Sequence, residues 1–242
     1  MDAWNIESAR DINLPIGKRM RSLRRESGLI SSVLRWTWWT SIRSYMAVYH
    51  RLAVIGRENL PKAPPYVLVA NHASHLDALV LAAPLPWQLR DQVFPIAAGD
   101  VFFETPMTSA FSALLLNALP MWRKKCGPHA LQELRDRLVA EACVFVLFPE
   151  GARSRDGTML PFKKGLGMLV AGTPVPIVPC YLAGCFNALP PDKKMPRPRK
   201  ITMTIGKPLD FSATSNDRAG WESLTQSVES AVKVLGDNSD SV

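Results

Sequence analysis

Apolar residues recur along the chain with two spacings, one typical of helices and one typical of buried strands. A long helix is predicted at about 20–49, because apolar residues there recur every three or four positions and share one helical face. The members of that stripe are Ile30, Leu34, Trp38, Ile42, Tyr45 and Tyr49. The aromatic and basic residues off the stripe are Trp36, Trp39, Arg35 and Arg43. We expect one side of this helix to face the core and the other to meet a membrane interface, the alternative being a helix that only covers a soluble core.

Short apolar runs then alternate with helical patterns. Strands are predicted at 51–57, 66–70, 93–98, 120–123, 143–148, 177–182 and 200–205. Helices are predicted at 77–83, 107–119, 128–142 and 221–235. This alternation predicts an α/β fold, in which a mixed sheet is flanked by helices and an N-terminal interfacial helix precedes it.

The length of 242 residues suits one domain with terminal appendages. We predict an N-terminal basic, membrane-associating helical segment at 1–50, a single α/β domain at 51–236 and a disordered tail at 237–242. The charge-free stretches at 105–122 and 165–191 are not expected to span a bilayer. The first is predicted to form a helix of about 13 residues, which is too short to span a bilayer, and the second is broken repeatedly by Gly and Pro.

The positive charge is concentrated at one end of the chain. The formal net charge is +8, and residues 1–62 hold eleven basic side chains against five acidic ones, a net charge of +6. Such an end attracts a polyanion, either nucleic acid or an anionic membrane surface. Four of the seven Trp lie at or before position 39, beside the basic cluster at 18–25, and no nucleic-acid-binding motif occurs. We therefore predict contact with an anionic membrane surface and no nucleic-acid partner.

The start of the chain bears on localisation. The first twenty residues lack the apolar segment of a secretory signal and contain acidic residues that a transit peptide avoids. The cysteines are therefore expected to be reduced thiols. We expect a peripheral or monotopic protein at the cytoplasmic face of the cell membrane.

The segment 71–77 (NHASHLD) follows a predicted strand and opens a predicted helix. An aspartate five positions after His72 can hold one ring nitrogen, which leaves the other free to accept a proton. Asp77 also suits a first helical turn for capping reasons alone, and His75 is an alternative base. Ser74 has no G-x-S-x-G elbow around it, which argues against a serine nucleophile.

A second cluster of polar residues, 148–157 (FPEGARSRDG), follows the apolar strand at 143–148. Arg153 can bind a phosphate or carboxylate through two N–H groups, and Glu150 can accept a hydrogen bond from a hydroxyl. A third candidate, Arg123, also ends a predicted strand. Together with the His/Asp pair, these residues would form a site for an anionic substrate with a proton to lose. The alternative for the second cluster is a surface turn with an exposed ion pair.

These segments resemble one family. Segment 71–77 resembles the NHxSxxD form of the His-x4-Asp motif of the 1-acylglycerol-3-phosphate acyltransferases, and 148–155 resembles their FPEGxRSR motif. The similarity continues through 156–165 (DGTMLPFKKG) and 175–179 (VPIVP), so that it covers about residues 50–210. Trp122 stands where the family often has an Asp, and 97–100 (AAGD) lacks a Lys often seen nearby. The resemblance implies a glycerol-3-phosphate acyltransferase-like fold, with 51–236 as the acyltransferase domain.

The resemblance also implies residue roles. His72 would be the general base and Asp77 would orient it, whereas Glu150, Gly151 and Arg153 would belong to the acceptor site. Arg123 would bind the acceptor phosphate. Backbone N–H groups near Gly151 are expected to stabilise charge on the thioester oxygen.

The implied reaction transfers an acyl chain from acyl-CoA or acyl-carrier protein to the hydroxyl of a lysophospholipid, most directly 1-acyl-sn-glycerol-3-phosphate. No cofactor and no metal are expected, and acyl-carrier protein is a possible partner. One alternative is another lysolipid acceptor, such as lyso-ornithine lipid. The other is a non-catalytic lipid-binding protein on the same fold.

Overall fold

A computed structural model describes residues 14–15, 18, 20, 22, 29–98, 103–121 and 128–239. Within these residues seven strands form one sheet, namely β1 (Ala53–Ile55), β2 (Tyr66–Ala70), β3 (Val93–Ala98), β4 (Leu119–Met121), β5 (Val144–Leu147), β6 (Ile177–Ala183) and β7 (Thr202–Ile205). Their order across the sheet is β1-β7-β6-β2-β5-β3-β4. The predicted fold class, a mixed sheet flanked by helices, is confirmed.

Strand direction decides where functional side chains can meet. Strands β2 to β6 run parallel to one another, whereas β7 is antiparallel to β6 and pairs with β1 in parallel. The carboxyl ends of β2 to β6 therefore lie at one edge of the sheet, here called the carboxyl edge, and the opposite edge is called the amino edge. Ligand sites of α/β proteins usually lie at the carboxyl edge. The motifs at 71–77 and 148–155 begin there, directly after β2 and β5.

Helices cover both faces of the sheet. They are α1 (Leu29–Val48), α2 (Asp77–Ala82), α3 (Pro106–Ala110), α4 (Pro128–Ala140), α5 (Gly165–Val170), α6 (Cys185–Ala188) and α7 (Arg218–Ser239). One face packs against α1, α2 and α6, and the other against α4, α5 and α7. Residues of β2 alternate between the two cores, with Leu68 on the first face and Val67 on the second. This double cover explains why β2 and β5 are apolar throughout.

The buried side of α1 differs from the predicted stripe. Its buried residues are Arg35, Trp39, Ile42 and Met46. Leu34 and Tyr49, which belong to the predicted stripe, are exposed, and Trp39, which lies off that stripe, is buried. Both the predicted stripe and this set of four residues fit the helical period. The set that contains Arg35 is the buried one, because the Arg35 side chain is anchored in the core.

Arg35 forms a polar network beneath α1. Its side chain is 1% exposed, and its Nε donates to Asp91 Oδ1 at 2.7 Å. The Ser32 hydroxyl donates to the other Asp91 oxygen at 2.9 Å, and the Asn117 amide donates to the Asp91 carbonyl at 3.1 Å. The network fixes α1 to the segments that enter β3 and β4. The arginine that was expected near an interface therefore has a structural role.

Replacing Arg35 by alanine is expected to lower the free energy of unfolding by about 3 kcal/mol, because the Asp91 carboxylate loses its buried partner. Arg90 is the matched control. It also approaches Asp91, at 3.4 Å, but its side chain is 31% exposed, so Arg90→Ala should cost less than about 1 kcal/mol. Urea unfolding of both variants tests this, and equal losses would contradict it.

The outer face of α1 is uncharged. Residues at helical spacing on this face are Leu29, Val33, Trp36, Thr40, Ser44 and Val48. The hydroxyls of Thr40 and Ser44 donate to carbonyls four residues earlier in the helix. Both charged residues of α1 point inward, since Arg35 is buried and Arg43 binds the carbonyls of the 83–85 turn. None of the helices in the described parts of the chain is both long enough and apolar enough to cross a bilayer.

Two predicted boundaries need correction. The apolar helix predicted at 107–119 is the short helix α3 followed by a π-helical turn at Phe111–Leu115, and it ends where Asn117 adopts a left-handed φ of 54°. The tail predicted at 237–242 begins too early, because α7 continues to Ser239. Gly236 does not stop this helix. It lets the helix approach the Tyr181 ring, which an added Cβ would meet at 2.8 Å.

Candidate active site

The carboxyl end of β2 places His72 at the carboxyl edge. Asn71, the preceding residue, exchanges two hydrogen bonds with the backbone of Leu182 in β6: its Oδ1 accepts from the N–H at 2.8 Å and its Nδ2 donates to the carbonyl at 3.2 Å. The Asn71 amide thus extends the strand pairing by one residue. This fixes the backbone just where the chain leaves the sheet, so His72 begins the loop from a rigid position.

His72 and Asp77 form the predicted pair. His72 Nδ1 lies 2.8 Å from Asp77 Oδ2, and a carboxylate can only accept, so Nδ1 carries the proton. In the neutral ring this tautomer leaves Nε2 without a proton and able to act as a base. The His72 ring stacks on Phe148 at 4.2 Å between centroids, and its side chain is 22% exposed. The ring is therefore held in one orientation while remaining accessible.

Asp77 is fully buried, and its position serves more than helix capping. Its Oδ2 accepts not only from His72 but also from the backbone N–H groups of Ala73 and Ser74, at 2.7 and 2.8 Å. The same oxygen thereby closes the 72–77 loop and orients the imidazole. The Cys185 thiol lies near the carboxylate, and its pKa is raised well above the ordinary value, first by burial and then by the Asp77 charge.

Glu150 joins the loop that contains His72 to the loop that contains Leu160. Its side chain is buried, Oε1 accepts from the His72 N–H at 2.7 Å, and Oε2 accepts from the Leu160 N–H at 3.0 Å. Burial raises the pKa of this carboxyl to about 7, against the opposing effect of the two backbone hydrogen bonds. Glu150 thus fixes the backbone of His72. The acceptor contact that the resemblance implies for it stays a prediction.

Gly151 forms the turn after β5 with a φ of +70°, a conformation that favours glycine. Its N–H donates to the Phe148 carbonyl at 3.0 Å, so the N–H groups near Gly151 that are expected to stabilise the oxyanion do not include its own. In the described structure the next two N–H groups, of Ala152 and Arg153, have no acceptor. They are the candidates for an oxyanion site.

Lys163 is a candidate site residue that was not predicted from the sequence. Its side chain lies across Gly151, so that an added Cβ there would meet the amine at 2.6 Å. The Lys163 N–H donates to the Pro149 carbonyl at 2.9 Å, which fixes its backbone beside the turn. The signal available in the sequence was the continuation of the family resemblance through 156–165, which contains Lys163.

Arg153 follows Gly151 by two residues and contacts His75. Its Nη1 is in hydrogen-bond contact with His75 Nε2. The pKa of His75 is lowered by burial first, and then by the charges of Arg153 and His72. The neutral form of His75 is therefore favoured, and its Nε2 can accept a hydrogen bond from the Arg153 guanidinium. Of the two candidate histidines, His72 is the one paired with Asp77.

The serines of the two motifs have structural contacts. The Ser74 hydroxyl is buried and donates to the Leu189 carbonyl at 2.8 Å, which does not suit a nucleophile. The Ser154 N–H donates to the His72 carbonyl at 2.8 Å, joining the second motif to the first. Asp156 Oδ1 accepts from Thr158 and Ser154, and these bonds lower its pKa to about 2.

The structure brings five of the six predicted site residues together at the carboxyl edge. The sixth, Arg123, lies outside the described residues, as does Trp122. No group of three or more His, Cys, Asp or Glu side chains suited to a metal ion occurs among the residues that the structure describes. The metal-free reaction remains a prediction.

Comparison with known proteins decides the family. A family model described as Acyltransferase matches residues 51–183, which is more than half of the chain. The chain belongs to this acyltransferase family. The resemblance drawn from the motifs at 71–77 and 148–155 is thereby confirmed, since both lie inside the matched range.

Two relatives of this acyltransferase-family chain are named for the acceptor that they acylate. It is 32% identical over 135 residues to the 1-acyl-sn-glycerol-3-phosphate acyltransferase alpha of Mus musculus, covering 55% of this chain and 45% of that protein. It is 34% identical over 170 residues to a 1-acyl-sn-glycerol-3-phosphate acyltransferase of Chlamydomonas reinhardtii, covering 67% and 48%. The chain spans about half the length of these curated relatives.

The fold is similar to that of a solved structure, the 1-acyl-sn-glycerophosphate (LPA) acyltransferase PlsC from Thermotoga maritima. The TM-score is 0.65, the sequence identity is 24%, and the alignment covers 87% of this chain and 86% of that one. At this identity the likeness concerns the fold.

Proposed function

We propose that the chain is an O-acyltransferase that moves a fatty acyl chain from a thioester donor to the hydroxyl of 1-acyl-sn-glycerol-3-phosphate, giving phosphatidic acid. The observation that carries the proposal is the His72–Asp77 pair, held in a fixed orientation at the carboxyl edge. The names of the relatives support this acceptor. The donor is acyl-CoA or acyl-carrier protein, and no further cofactor takes part.

The proposed reaction is a direct transfer. His72 Nε2 takes the proton of the acceptor hydroxyl while the oxygen attacks the thioester carbonyl carbon, forming a C–O bond. The oxyanion then collapses, the C–S bond breaks, and the thiolate takes the proton back from Nε2. Asp77 stabilises the imidazolium between these steps. No covalent enzyme intermediate forms, and the N–H groups of Ala152 and Arg153 are available to the oxyanion.

Two cations beside the dyad suit the acceptor phosphate. Arg153 follows Gly151 by two residues and contacts His75, whereas the Lys163 side chain lies across Gly151, and within the described residues neither cation forms an ion pair with a carboxylate. A phosphate held by both would fix the glycerol backbone, so that the hydroxyl is presented to His72 in register.

Replacing Lys163 by methionine is therefore expected to raise KM for 1-acylglycerol-3-phosphate by roughly 10- to 100-fold with a smaller change in kcat, because one charge-assisted contact is lost. Lys164 is the matched control, since it is the adjacent exposed lysine and does not lie across Gly151. Steady-state kinetics of both variants and of Lys163→Arg test the assignment. An equal KM for Lys163→Met and Lys164→Met would contradict it.

The proposal includes contact with a membrane surface. The outer face of α1 is uncharged over its whole length, and Met107 and Phe111 beside it are also exposed, at 82% and 42%. The Trp38 and Phe111 rings meet edge to face at 5.6 Å, which joins α1 to the turn after α3. A face of this composition favours the headgroup region of a bilayer, where the acceptor lipid resides.

The acceptor is tested with a panel of lysolipids. Purified protein is incubated with labelled acyl-CoA and, in separate reactions, 1-acylglycerol-3-phosphate, other lysophospholipids, lyso-ornithine lipid and monoacylglycerol, and the products are identified by mass spectrometry. We expect phosphatidic acid to form fastest. Faster acylation of a phosphate-free acceptor would replace the proposed acceptor while retaining the chemistry.

A further inference from the structure

The loop that follows α6 carries a dense group of cations. Residues 193–200 hold Lys193, Lys194, Arg197, Arg199 and Lys200, all exposed, and Arg51 is exposed at the end of α1. The neighbouring carboxylate, Asp192, pairs with Lys193 at 2.9 Å. Within the described residues the other cations form no ion pair. We call residues 193–200 the basic platform.

The backbone of the platform is fixed rather than loose. Four prolines occur at positions 190, 191, 196 and 198. The Arg197 N–H donates to the Ala188 carbonyl at 2.7 Å, and the Tyr49 hydroxyl donates to the Pro196 carbonyl at 3.0 Å. The cations are therefore held in place before any partner binds, which lowers the entropy cost of binding.

His50 provides a further anchor at the end of α1. Its Nδ1 lies 3.2 Å from the Arg199 carbonyl and must donate, while Nε2 lies 3.0 Å from the Tyr45 hydroxyl and accepts from it. The neutral ring satisfies both contacts, and burial lowers the pKa of His50, which favours this form. The Ile201 N–H donates to the His50 carbonyl at 3.0 Å. The platform and α1 are thus joined into one surface.

The platform lies at the same edge of the sheet as the catalytic pair. Thr202, which begins β7, is opposite Ala183, which ends β6, so the intervening segment stays at the carboxyl edge. The Leu189 carbonyl, just before the platform, accepts from Ser74 in the catalytic loop. A partner bound to the platform is therefore presented to the catalytic edge.

Exposed apolar side chains lie among these cations. Met195 is 78% exposed within the platform, and Val48, at the end of the uncharged face of α1, is 81% exposed. Cations beside apolar groups on a fixed surface match an anionic bilayer, where lipid phosphates meet the charges and the apolar side chains enter the interface. A purely soluble polyanion offers nothing to Met195 or Val48.

We propose that the basic platform binds the headgroups of anionic lipids and so orients the catalytic edge toward the bilayer. This inference rests on the proposed function in one respect, namely that the acceptor lipid is drawn from that bilayer. It assigns the lipid-charge preference to a segment outside the basic N-terminal end of the chain.

The test is co-sedimentation of the full chain with vesicles of phosphatidylcholine alone and of phosphatidylcholine with phosphatidylglycerol. The platform variant is Lys194→Gln, Arg197→Gln and Arg199→Gln. The matched control is Arg57→Gln, Lys62→Gln and Lys207→Gln, which removes three exposed cations near the amino edge. We expect the platform variant to bind anionic vesicles on the order of 100-fold more weakly than wild type, and the control far less so. Binding to neutral vesicles should be the same for all three proteins.

Three results would overturn the inference. The first is equal binding of both variants to anionic vesicles. The second is a loss of binding by the platform variant that is as large on neutral vesicles as on anionic ones. The third is unchanged vesicle binding by the platform variant together with a raised KM for acyl-CoA or acyl-carrier protein, which would make the platform a donor site. Vesicle binding needs no acyl transfer, so the outcome is independent of the proposed function. A platform effect without transfer to any lysolipid would remove the proposed function alone.

Discussion

Replacing His72 by alanine is expected to lower kcat/KM for acyl transfer by roughly 10²- to 10⁴-fold, the usual contribution of a general base. The reason is geometric, since Nδ1 is committed to Asp77 and Nε2 is the nitrogen left to accept the hydroxyl proton. The fold should survive, because the ring is partly exposed and the His72 backbone keeps its bonds to Glu150 and Ser154. Initial rates of product formation measure the effect.

His75→Ala is the matched control for that variant. It removes a histidine three residues away that contacts Arg153 and makes no bond to Asp77. We expect its kcat to stay within about 10-fold of wild type, with the main change in KM for the acceptor. A folded His72→Ala protein with near-normal turnover would show that His72 is not the base.

Replacing Asp77 by asparagine is expected to lower kcat by about 10²- to 10⁴-fold with little change in KM. Asparagine fills the same space, and its oxygen can still accept from the N–H groups of Ala73 and Ser74, so the loop keeps most of its closure. The imidazolium that forms during transfer loses its negative partner. Asparagine also permits the opposite His72 tautomer, which puts a proton on Nε2.

Thermal unfolding separates this effect from misfolding. Asp77→Asn should unfold within a few degrees of wild type, whereas Asp77→Ala should be less stable, because it leaves buried N–H groups unsatisfied at a cost of about 1–3 kcal/mol each. An Asp77→Asn variant that retains wild-type kcat, despite being folded, would assign Asp77 to loop closure alone.

Local signals account for the parts of the site that the sequence predicted. His72 and Asp77 are five residues apart at a strand-to-helix junction, so one loop brings them together. Strands β2 and β5 were also predicted closely, because burial on both faces makes such strands apolar throughout. Where a feature depends on a few neighbouring residues, the periodicity and the motif suffice.

Features that depend on distant partners were not predictable in this way. Arg35 is buried because Asp91 and Asn117, at positions far along the chain, meet its guanidinium. Glu150 was expected to belong to the acceptor site, and no signal in the sequence indicated that its two oxygens also bind backbone N–H groups of residues 72 and 160. Neither partner can be inferred from spacing, because each depends on how separate loops stack at one edge of the sheet.

Acceptor-dependent thiol release tests the central claim most directly. Purified wild-type protein and His72→Ala are each incubated with acyl-CoA, with and without 1-acylglycerol-3-phosphate, and free CoA and acylated product are measured together. We expect wild type to release CoA only when the acceptor is present, with one phosphatidic acid formed for each CoA, and His72→Ala to form both at least about 100-fold more slowly. Release of CoA without acceptor, or no acylated product from wild type, would contradict direct transfer by the His72–Asp77 pair.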